Sequence, residues 1–165
     1  MKKAPAFKDF KLIQNYCVGI CVSRWNHDIT DKLCKSAVKT LINNGLSRKN
    51  ITILHVPGSF ELPTASHWLA EQKNIHGVIS IGCIIKGETK HDEYLAQAVA
   101  NGLVSVSIKT GKPVIFGVFT TNNYKEAEDR SGGKKGNKGE EAAYAVLEMM
   151  GIYKKFTKYD FRITI

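Results

Sequence analysis

The sequence predicts an α/β protein, a three-layer sandwich in which helices cover both faces of a four-stranded, mainly parallel sheet. Three observations support this prediction. Short apolar runs alternate with amphipathic helical patterns, which is the element order of parallel sheets. The apolar runs are nearly continuous, as expected for strands buried on both faces. The length of 165 residues suits a single domain with a hydrophobic core.

Four apolar runs are the predicted strands, at residues 16–22, 51–56, 77–85 and 113–119. The third run is the most apolar and is therefore placed in the centre of the sheet. We expect a doubly wound sheet with right-handed crossovers and a flavodoxin-like winding.

Helices are predicted from the 3.6-residue spacing of apolar side chains, over about residues 28–44, 63–73, 92–109, 123–130 and 140–150. Gly45 stands where a C′ glycine ends a helix, and Pro63 suits a first helical turn. In the second helix, Ala65, Trp68 and Leu69 are expected to face inward.

Residues 1–165 are predicted to form a single domain, and three segments of it fall outside the alternation of strands and helices. Residues 1–14 are predicted to be an N-terminal arm, and residues 152–165 a C-terminal tail. The tail is too aromatic for a fully solvated end, so we expect it to dock on the body or on a neighbouring subunit. The glycine- and lysine-rich segment 131–139 does not match the phosphate-loop pattern, so a loop or helix kink is predicted there.

Composition narrows the class of protein. No apolar run approaches the length of a membrane span, and the N-terminus lacks a secretory signal, so we expect a soluble cytoplasmic protein. The net charge of +9 is compatible with nucleic acid, a membrane surface or an anionic small molecule. The basic residues form no DNA-reading helix, which favours a phosphorylated small molecule or simple solubility.

Cysteine and histidine spacing argues against a metal. The sequence has no C-x-x-C pair and no H-E-x-x-H pattern. We expect the four cysteines to be mainly small buried apolar side chains. They are Cys17, Cys21, Cys34 and Cys83.

Polar and aromatic residues follow three of the predicted strands, in segments 23–27, 57–61 and 86–91. In parallel sheets, ligands bind beyond the carboxyl ends of the strands, so these segments are candidates for one pocket. Trp25 either fills the core or stacks on a planar heterocycle. Glu61 either complements the dipole of the following helix or accepts hydrogen bonds from a polyol.

The third of these segments is the most informative. Gly87, Glu88 and Thr89 lead into a helix whose first N–H groups attract an anion such as phosphate, although an ordinary helix cap is the alternative. His91 follows, and an imidazole beside phosphate suits proton transfer, whereas most lone histidines are surface residues. Arg130 offers a second phosphate contact or merely complements the end of its helix.

Four blocks of the sequence resemble the lumazine synthase family in order and spacing over roughly residues 15–150. The blocks are 56–61, 87–91, 116–121 and 136–139, and the second has the Gly-x-Thr-x-His form of these enzymes. The resemblance implies condensation of 5-amino-6-(D-ribitylamino)uracil with 3,4-dihydroxy-2-butanone 4-phosphate. The product would be 6,7-dimethyl-8-ribityllumazine, in the penultimate step of riboflavin biosynthesis, with neither metal nor organic cofactor.

The resemblance also implies individual roles. His91 would transfer protons, and Trp25 would stack on the pyrimidine, where many relatives carry phenylalanine. The other pyrimidine and ribityl contacts would be Ser59, Phe60, Glu61, the backbone of Cys83, Ile84 and Ile85, and Phe116. The keto-phosphate would be held by Glu88 through its backbone amide, and by Thr89, Arg130 and Lys138.

The family forms homo-oligomers, so the resemblance implies an active site shared between subunits, with Phe116 and Arg130 reaching the adjacent one. The assembly would be a pentamer, which in some members packs into a shell of sixty subunits. The short segment 131–139 favours the shell. Riboflavin synthase is a candidate partner, and neither nucleic acid nor a membrane is expected.

Three alternatives stay open at this point. The first is a flavin- or lumazine-binding homologue without catalysis, which would not need Thr89, His91 and Arg130 together. The second is a nucleic-acid-binding domain, which rests on charge alone. The third is a shell whose role in enclosing cargo outweighs its chemistry.

Overall fold

A computed structural model describes residues 15–158, and its centre is a four-stranded parallel sheet with strand order β2-β1-β3-β4. The strands are β1 (Cys17–Ser23), β2 (Ile51–Val56), β3 (Ile75–Ile85) and β4 (Val114–Thr121). This order is a flavodoxin-like winding whose direction switches between β1 and β3, which confirms the predicted fold class. The predicted arm 1–14 and the last part of the predicted tail, 159–165, lie outside the described residues.

Helices cover both faces of the sheet. They are α1 (His27–Asn43), α2 (Leu62–Glu71), α3 (His91–Thr110), α4 (Tyr124–Arg130) and α5 (Lys138–Lys158), with a 3-10 turn at Arg48–Asn50. Helices α1 and α5 pack on one face, and α2 and α3 pack on the other. No helix within residues 15–158 has the length and apolar character needed to cross a bilayer.

The two inner strands, β1 and β3, are buried over almost their whole length, whereas β2 and β4 form the half-exposed edges. Cys21, Cys34 and Cys83 are buried free thiols, as predicted, and Cys17 is half-buried. Burial of both faces explains why the inner strands are continuous apolar runs rather than alternating ones.

Helix α5 begins in close contact with α1. A Cβ added at Gly139 would overlap the carbonyl of Leu33 and lie 2.9 Å from the Leu33 Cα. Because the obstacle is backbone, it cannot move aside as a flexible side chain would. Only glycine allows the two helices to approach at this point.

The segment 131–139 differs from its prediction. It forms a short antiparallel hairpin of β5 (Ser131–Gly133) and β6 (Gly136–Asn137), rather than a loop or helix kink. The hairpin depends on Gly132 and Gly136, whose φ angles of 120° and 85° are rare for residues with side chains.

Two helical predictions also need correction. Helix α5 continues through Gly151 to Lys158, so residues 152–158 are helical and the predicted tail begins too early. An interior glycine costs a helix only about 1 kcal/mol, and three of the seven residues after it are lysines, which favour helix. Trp68 is 60% exposed, because α2 rests on the sheet through Leu62, Ala65 and Leu69 and carries Trp68 on its flank.

At the amino end of the sheet, His76 acts as a neutral hydrogen-bond acceptor. The backbone N–H of Cys17 donates to its Nδ1 at 3.0 Å, and its ring stacks on Tyr16 with the centroids 4.2 Å apart. Burial lowers the pKa of His76, and the positive charges of Lys112 and Lys154 lower it further. Protonation would remove the lone pair that Cys17 uses.

We therefore expect acid to destabilise the fold through His76. Because its folded-state pKa is lowered, the unfolded chain takes up this proton first as the pH falls below about 6.5. The contribution of His76 is complete above that pH, declines below it, and stops changing below the folded-state pKa. Denaturant unfolding at pH 8 and pH 5 should show a smaller pH-dependent loss for His76→Gln than for the wild type. The exposed His55→Gln serves as control, and equal losses in wild type and His76→Gln would contradict the prediction.

Candidate active site

Backbone hydrogen bonds hold the loops after β1 and β2 side by side. The N–H of Arg24 donates to the carbonyl of Val56 at 2.9 Å, and that of Trp25 donates to Pro57 at 3.2 Å. These bonds continue the β1–β2 ladder beyond the last strand pair, Ser23 with Val56. The two loops therefore form one continuous rim at the carboxyl edge of the sheet.

Trp25 has a restrained backbone and an open side chain. The Ser23 Oγ donates to the Trp25 carbonyl at 3.2 Å, and the buried Thr30 Oγ1 donates to the Ser23 carbonyl at 2.7 Å. The indole is nevertheless 74% exposed, so Trp25 does not fill the core. A positioned, solvent-open indole at this edge is suited to stacking on a planar ligand.

The loop after β2 is fastened at two points. The Glu61 carboxylate accepts the N–H of Gly58 at 2.8 Å through Oε2 and has a second oxygen for ligand hydroxyls. Ser59 is buried, with its Oγ 2.7 Å from where a Cβ on Gly82 would lie, so residue 82 must be small. Between these points the ring of Phe60 is 66% exposed. The loop thus presents an aromatic ring and a carboxylate on a fixed backbone.

The end of β3 offers backbone rather than side chains. Cys83 and Ile84 are buried on opposite faces of the sheet, and Ile85 is half-buried. Burial raises the pKa of the Cys83 thiol to about 12, which makes it a poor nucleophile at neutral pH. The Cys83 carbonyl accepts a hydrogen bond from the Asn26 Nδ2 at 3.0 Å, which joins the first loop to β3.

The start of α3 is open to an anion. The N–H of Lys86 donates to Thr121 at 2.8 Å, which continues the β3–β4 pairing, and the exposed residues 87–90 then lead into the helix. No side chain caps the first turn of α3. The Thr89 Oγ1 accepts only a long bond, 3.4 Å, from the N–H of the exposed His91. The cap alternative is therefore poorly satisfied, although the N–H of Glu93 in the first turn already donates to the Lys90 carbonyl at 3.2 Å.

The charges around this helix start are mixed. Lys86 and Lys90 are exposed on the loop, while Asp92 and Glu93 lie in the first turn of α3. An Asp92 oxygen is buried without a partner in the described part of the chain. An anion here would depend on backbone N–H groups and on further cations from elsewhere.

Three predicted site residues lie apart from the rim. Phe116 pairs in register with Ser80, three positions before the Cys83–Phe119 pair, so it sits about 10 Å back along the strand from that pair. Its ring is 48% exposed. Arg130 ends α4, and Lys138 begins α5. Within residues 15–158, no hydrogen bond or ion pair joins these three to the loops after β1, β2 and β3.

Arg130 and Lys138 differ in the partners that their charged groups have. The Nε of Arg130 is buried with no hydrogen-bond partner among residues 15–158, although the guanidinium charge acts on the Glu126 carboxylate one turn earlier in α4. The Nζ of Lys138 lies 2.5 Å from the Glu141 carboxylate, one turn along α5. Arg130 is thus the better placed of the two to bind an added anion.

Asn26 is a site residue to which the sequence assigned no role. It lies within the predicted segment 23–27, but nothing in the sequence indicates its bond to Cys83, which spans 57 positions. Its position directly before a helix was the only available signal, and that signal indicates an ordinary cap.

The fold and the site define an α/β protein of the doubly wound class, with exposed aromatic rings and an uncapped helix start at the carboxyl edge of its sheet. Comparison with known proteins agrees with this class. Residues 15–154 match the 6,7-dimethyl-8-ribityllumazine synthase family.

Several relatives carry the same family name. The chain is 46% identical over 151 residues to the 6,7-dimethyl-8-ribityllumazine synthase of Porphyromonas gingivalis, covering 92% of this chain and 90% of that protein. It is 48% identical over 132 residues to that of Cytophaga hutchinsonii, covering 80% and 83%. It is 41% identical over 136 residues to that of Aquifex aeolicus, covering 82% and 88%. The chain therefore belongs to the 6,7-dimethyl-8-ribityllumazine synthase family, transferases of riboflavin biosynthesis, as the motifs predicted.

Proposed function

We propose that this protein condenses 5-amino-6-(D-ribitylamino)uracil with 3,4-dihydroxy-2-butanone 4-phosphate to give 6,7-dimethyl-8-ribityllumazine. The match of residues 15–154 to the family carries the proposal. The exposed indole of Trp25 beside an uncapped helix start supports it, because one substrate is a planar ring and the other a phosphate.

The pyrimidine would bind along the rim made by the first two loops and the end of β3. Trp25 and Phe60 supply exposed aromatic surface, with the ring of Trp25 stacking on the heterocycle. Glu61 and Ser59 would accept hydrogen bonds from the ribityl hydroxyls. The backbone of residues 83–85 would contact the polar edge of the ring, since the side chains at 83 and 84 are buried.

The keto-phosphate would bind at the start of α3. The backbone amides of Glu88 and Thr89 and the Thr89 hydroxyl would donate to the phosphate, with the Glu88 carboxylate turned away from the anion. Arg130 of an adjacent subunit would add a charge-assisted contact. Lys138 would support the anion more weakly, because Glu141 already neutralises it.

The reaction begins when the primary amine of the pyrimidine attacks the ketone and forms an imine with loss of water. Phosphate is then eliminated, the resulting enol tautomerises, and the ribitylamino nitrogen closes the second ring with loss of another water. His91 would move the protons in these steps. Holding two reactants together in one orientation contributes most of the rate.

A shared site requires an oligomer, and exposed apolar side chains support one. Tyr94, Val104 and Ile108 on α3 are 67%, 53% and 78% exposed, and Phe116 is half-exposed on β4. Apolar surface of this extent is typical of a contact with another chain. We place a homopentamer first and keep the sixty-subunit shell as a hypothesis.

Light scattering distinguishes these assemblies. Five chains of 18.3 kDa give about 92 kDa, and sixty give about 1.1 MDa. A mass of about 92 kDa would reject the shell. A stable monomer that is fully active would contradict the shared site. The same preparation tests whether riboflavin synthase co-purifies. We place both proteins in the cytoplasm, because the cysteines within residues 15–158 are free thiols and thiols stay reduced in that compartment.

Product formation is the first experiment for the proposed activity. Purified protein mixed with both substrates should develop lumazine absorbance and fluorescence well above the uncatalysed rate. If a demonstrably folded protein gives no acceleration, the binding homologue without catalysis becomes the better explanation.

His91→Ala should slow turnover without abolishing it. General acid–base catalysis typically contributes about 100-fold to 10,000-fold, and we expect a loss at the lower end of that range because proximity supplies most of the acceleration. Steady-state kcat measures the effect, with the exposed His55→Ala as control. A folded His91→Ala protein with no activity above background would show that proton transfer dominates instead.

Arg130→Ala should weaken the keto-phosphate selectively. Loss of a charge-assisted hydrogen bond corresponds to about a tenfold to hundredfold rise in KM for that substrate. The KM for the pyrimidine should change little. Lys125→Ala removes a positive charge from the exposed side of the same helix and is the matched control. An unchanged keto-phosphate KM in Arg130→Ala would refute the assignment.

A further inference from the structure

We propose that Asn26 is a positioning residue that fixes Trp25 against the end of β3 and thereby sets how tightly the pyrimidine is held. The proposal rests on the proposed function of the same site. It concerns a residue that does not itself need to touch the substrate.

The first observation is the backbone conformation of Asn26. Among residues 15–158 it is the only residue other than glycine with a positive φ, at φ 55° and ψ 45°. Side chains rarely adopt this left-handed conformation, and asparagine tolerates it better than most residues. Such conformations persist where surrounding contacts enforce them, and they concentrate at functional sites.

The second observation is what the Asn26 side chain does. Asn26 occupies the N-cap position of α1, where asparagine usually accepts a hydrogen bond from the first helical turn. Here the side chain makes no cap bond. Its Nδ2 instead donates to the carbonyl of Cys83 at 3.0 Å, while the Asn26 carbonyl accepts from Ile29 and Thr30. The amide therefore joins the first loop to β3 rather than stabilising its own helix.

The third observation is that the Asn26–Cys83 bond makes a connection that the other hydrogen bonds of Trp25 do not make. The Trp25 N–H is bound to Pro57 in the second loop, and the Trp25 carbonyl is bound by Ser23. Neither of these bonds joins the first loop to β3. The Asn26 amide supplies that connection one residue after Trp25. It thus sets the distance between the indole and the backbone of residues 83–85, the two surfaces that would hold the pyrimidine.

The start of α3, where the keto-phosphate would bind, does not depend on this bond. Its loop is held by the Lys86–Thr121 backbone pair. Loss of the Asn26 amide should therefore affect the two substrates unequally. A general loss of structure would affect both.

The first test is Asn26→Gly, because glycine adopts a positive φ readily but has no amide. Its KM for the pyrimidine should rise by about threefold to tenfold, which is the usual effect of one lost hydrogen bond. Its KM for the keto-phosphate should stay within about twofold, as for an exposed substitution with no direct contact. Asn44→Gly is the matched control. Its Nδ2 donates to Thr40 at 2.7 Å at the other end of α1, and it should leave both constants unchanged.

Asn26→Asp is a second variant that protects the test against misfolding. Aspartate accepts the left-handed conformation and is a good N-cap, so the fold should persist. Its carboxylate has no donor and would face the Cys83 carbonyl. We therefore expect a larger rise in pyrimidine KM than in Asn26→Gly.

A direct measurement follows the fluorescence of Trp25. The chain has two tryptophans, and the exposed Trp68 can be replaced by phenylalanine to leave Trp25 alone. In that background, Asn26→Gly should lower the fluorescence anisotropy of Trp25, because the already exposed ring would move more freely, and reduce its quenching by the pyrimidine added without keto-phosphate.

Two outcomes would overturn the proposal. One is a pyrimidine KM and Trp25 quenching like those of the parent protein, and the other is a parallel rise of both KM values. If the wild type makes no lumazine, the proposed function fails instead. The anisotropy comparison would still decide whether Asn26 holds Trp25 in place.

Discussion

The burial of β1 and β3 on both faces is the constraint on which the rest of the structure depends. Side chains along these strands must be apolar or paired within the core, as the Ser66 and Ser80 hydroxyls are at 2.7 Å. Groups that bind water or ligands are excluded from the strands and collect where the strands end. The polar and aromatic residues of the site lie at that edge because the body of the sheet has no place for them.

The edge becomes a defined surface because its loops are joined by hydrogen bonds between main-chain groups. Arg24 and Trp25 extend the pairing of β1 with β2, and Lys86 extends that of β3 with β4. The Asn26 amide connects the loop after β1 to the end of β3. A ligand that binds to such a backbone has less freedom to remove, which would let a mostly exposed tryptophan act as a specific contact in the proposed function.

Much of the fold could be predicted because its signals are local. Apolar runs gave the strands, and glycine at position 45, with φ 98°, ends α1 as its sequence indicates. The rule for carboxyl ends led to Trp25 and to the loop that contains Glu61. The hairpin at 131–139 was missed because its strands have only two or three residues and no apolar pattern.

Other features of the site depend on relations that a single sequence does not display. The bond from Asn26 to Cys83 joins positions 57 residues apart. The flank position of Trp68 depends on how α2 leans on the sheet. The distance of Phe116 from the rim follows from strand register. Family resemblance, rather than spacing, was needed to propose a role for Phe116 and Arg130 in an adjacent subunit.

The contact between Gly139 and Leu33 would fix distances between the active sites of an oligomer. Helix α1 follows directly from the loop that carries Trp25, and Gly139 lies just beyond the hairpin that follows Arg130. Main-chain packing at this point holds the loop of Trp25 at a fixed position relative to Arg130. In the proposed function, Trp25 binds the substrate of its own chain, and Arg130 binds that of a neighbouring subunit. In the proposed ring, the spacing between neighbouring active sites would then be set by the folding of one chain, and any residue larger than glycine at position 139 would change the geometry of every site.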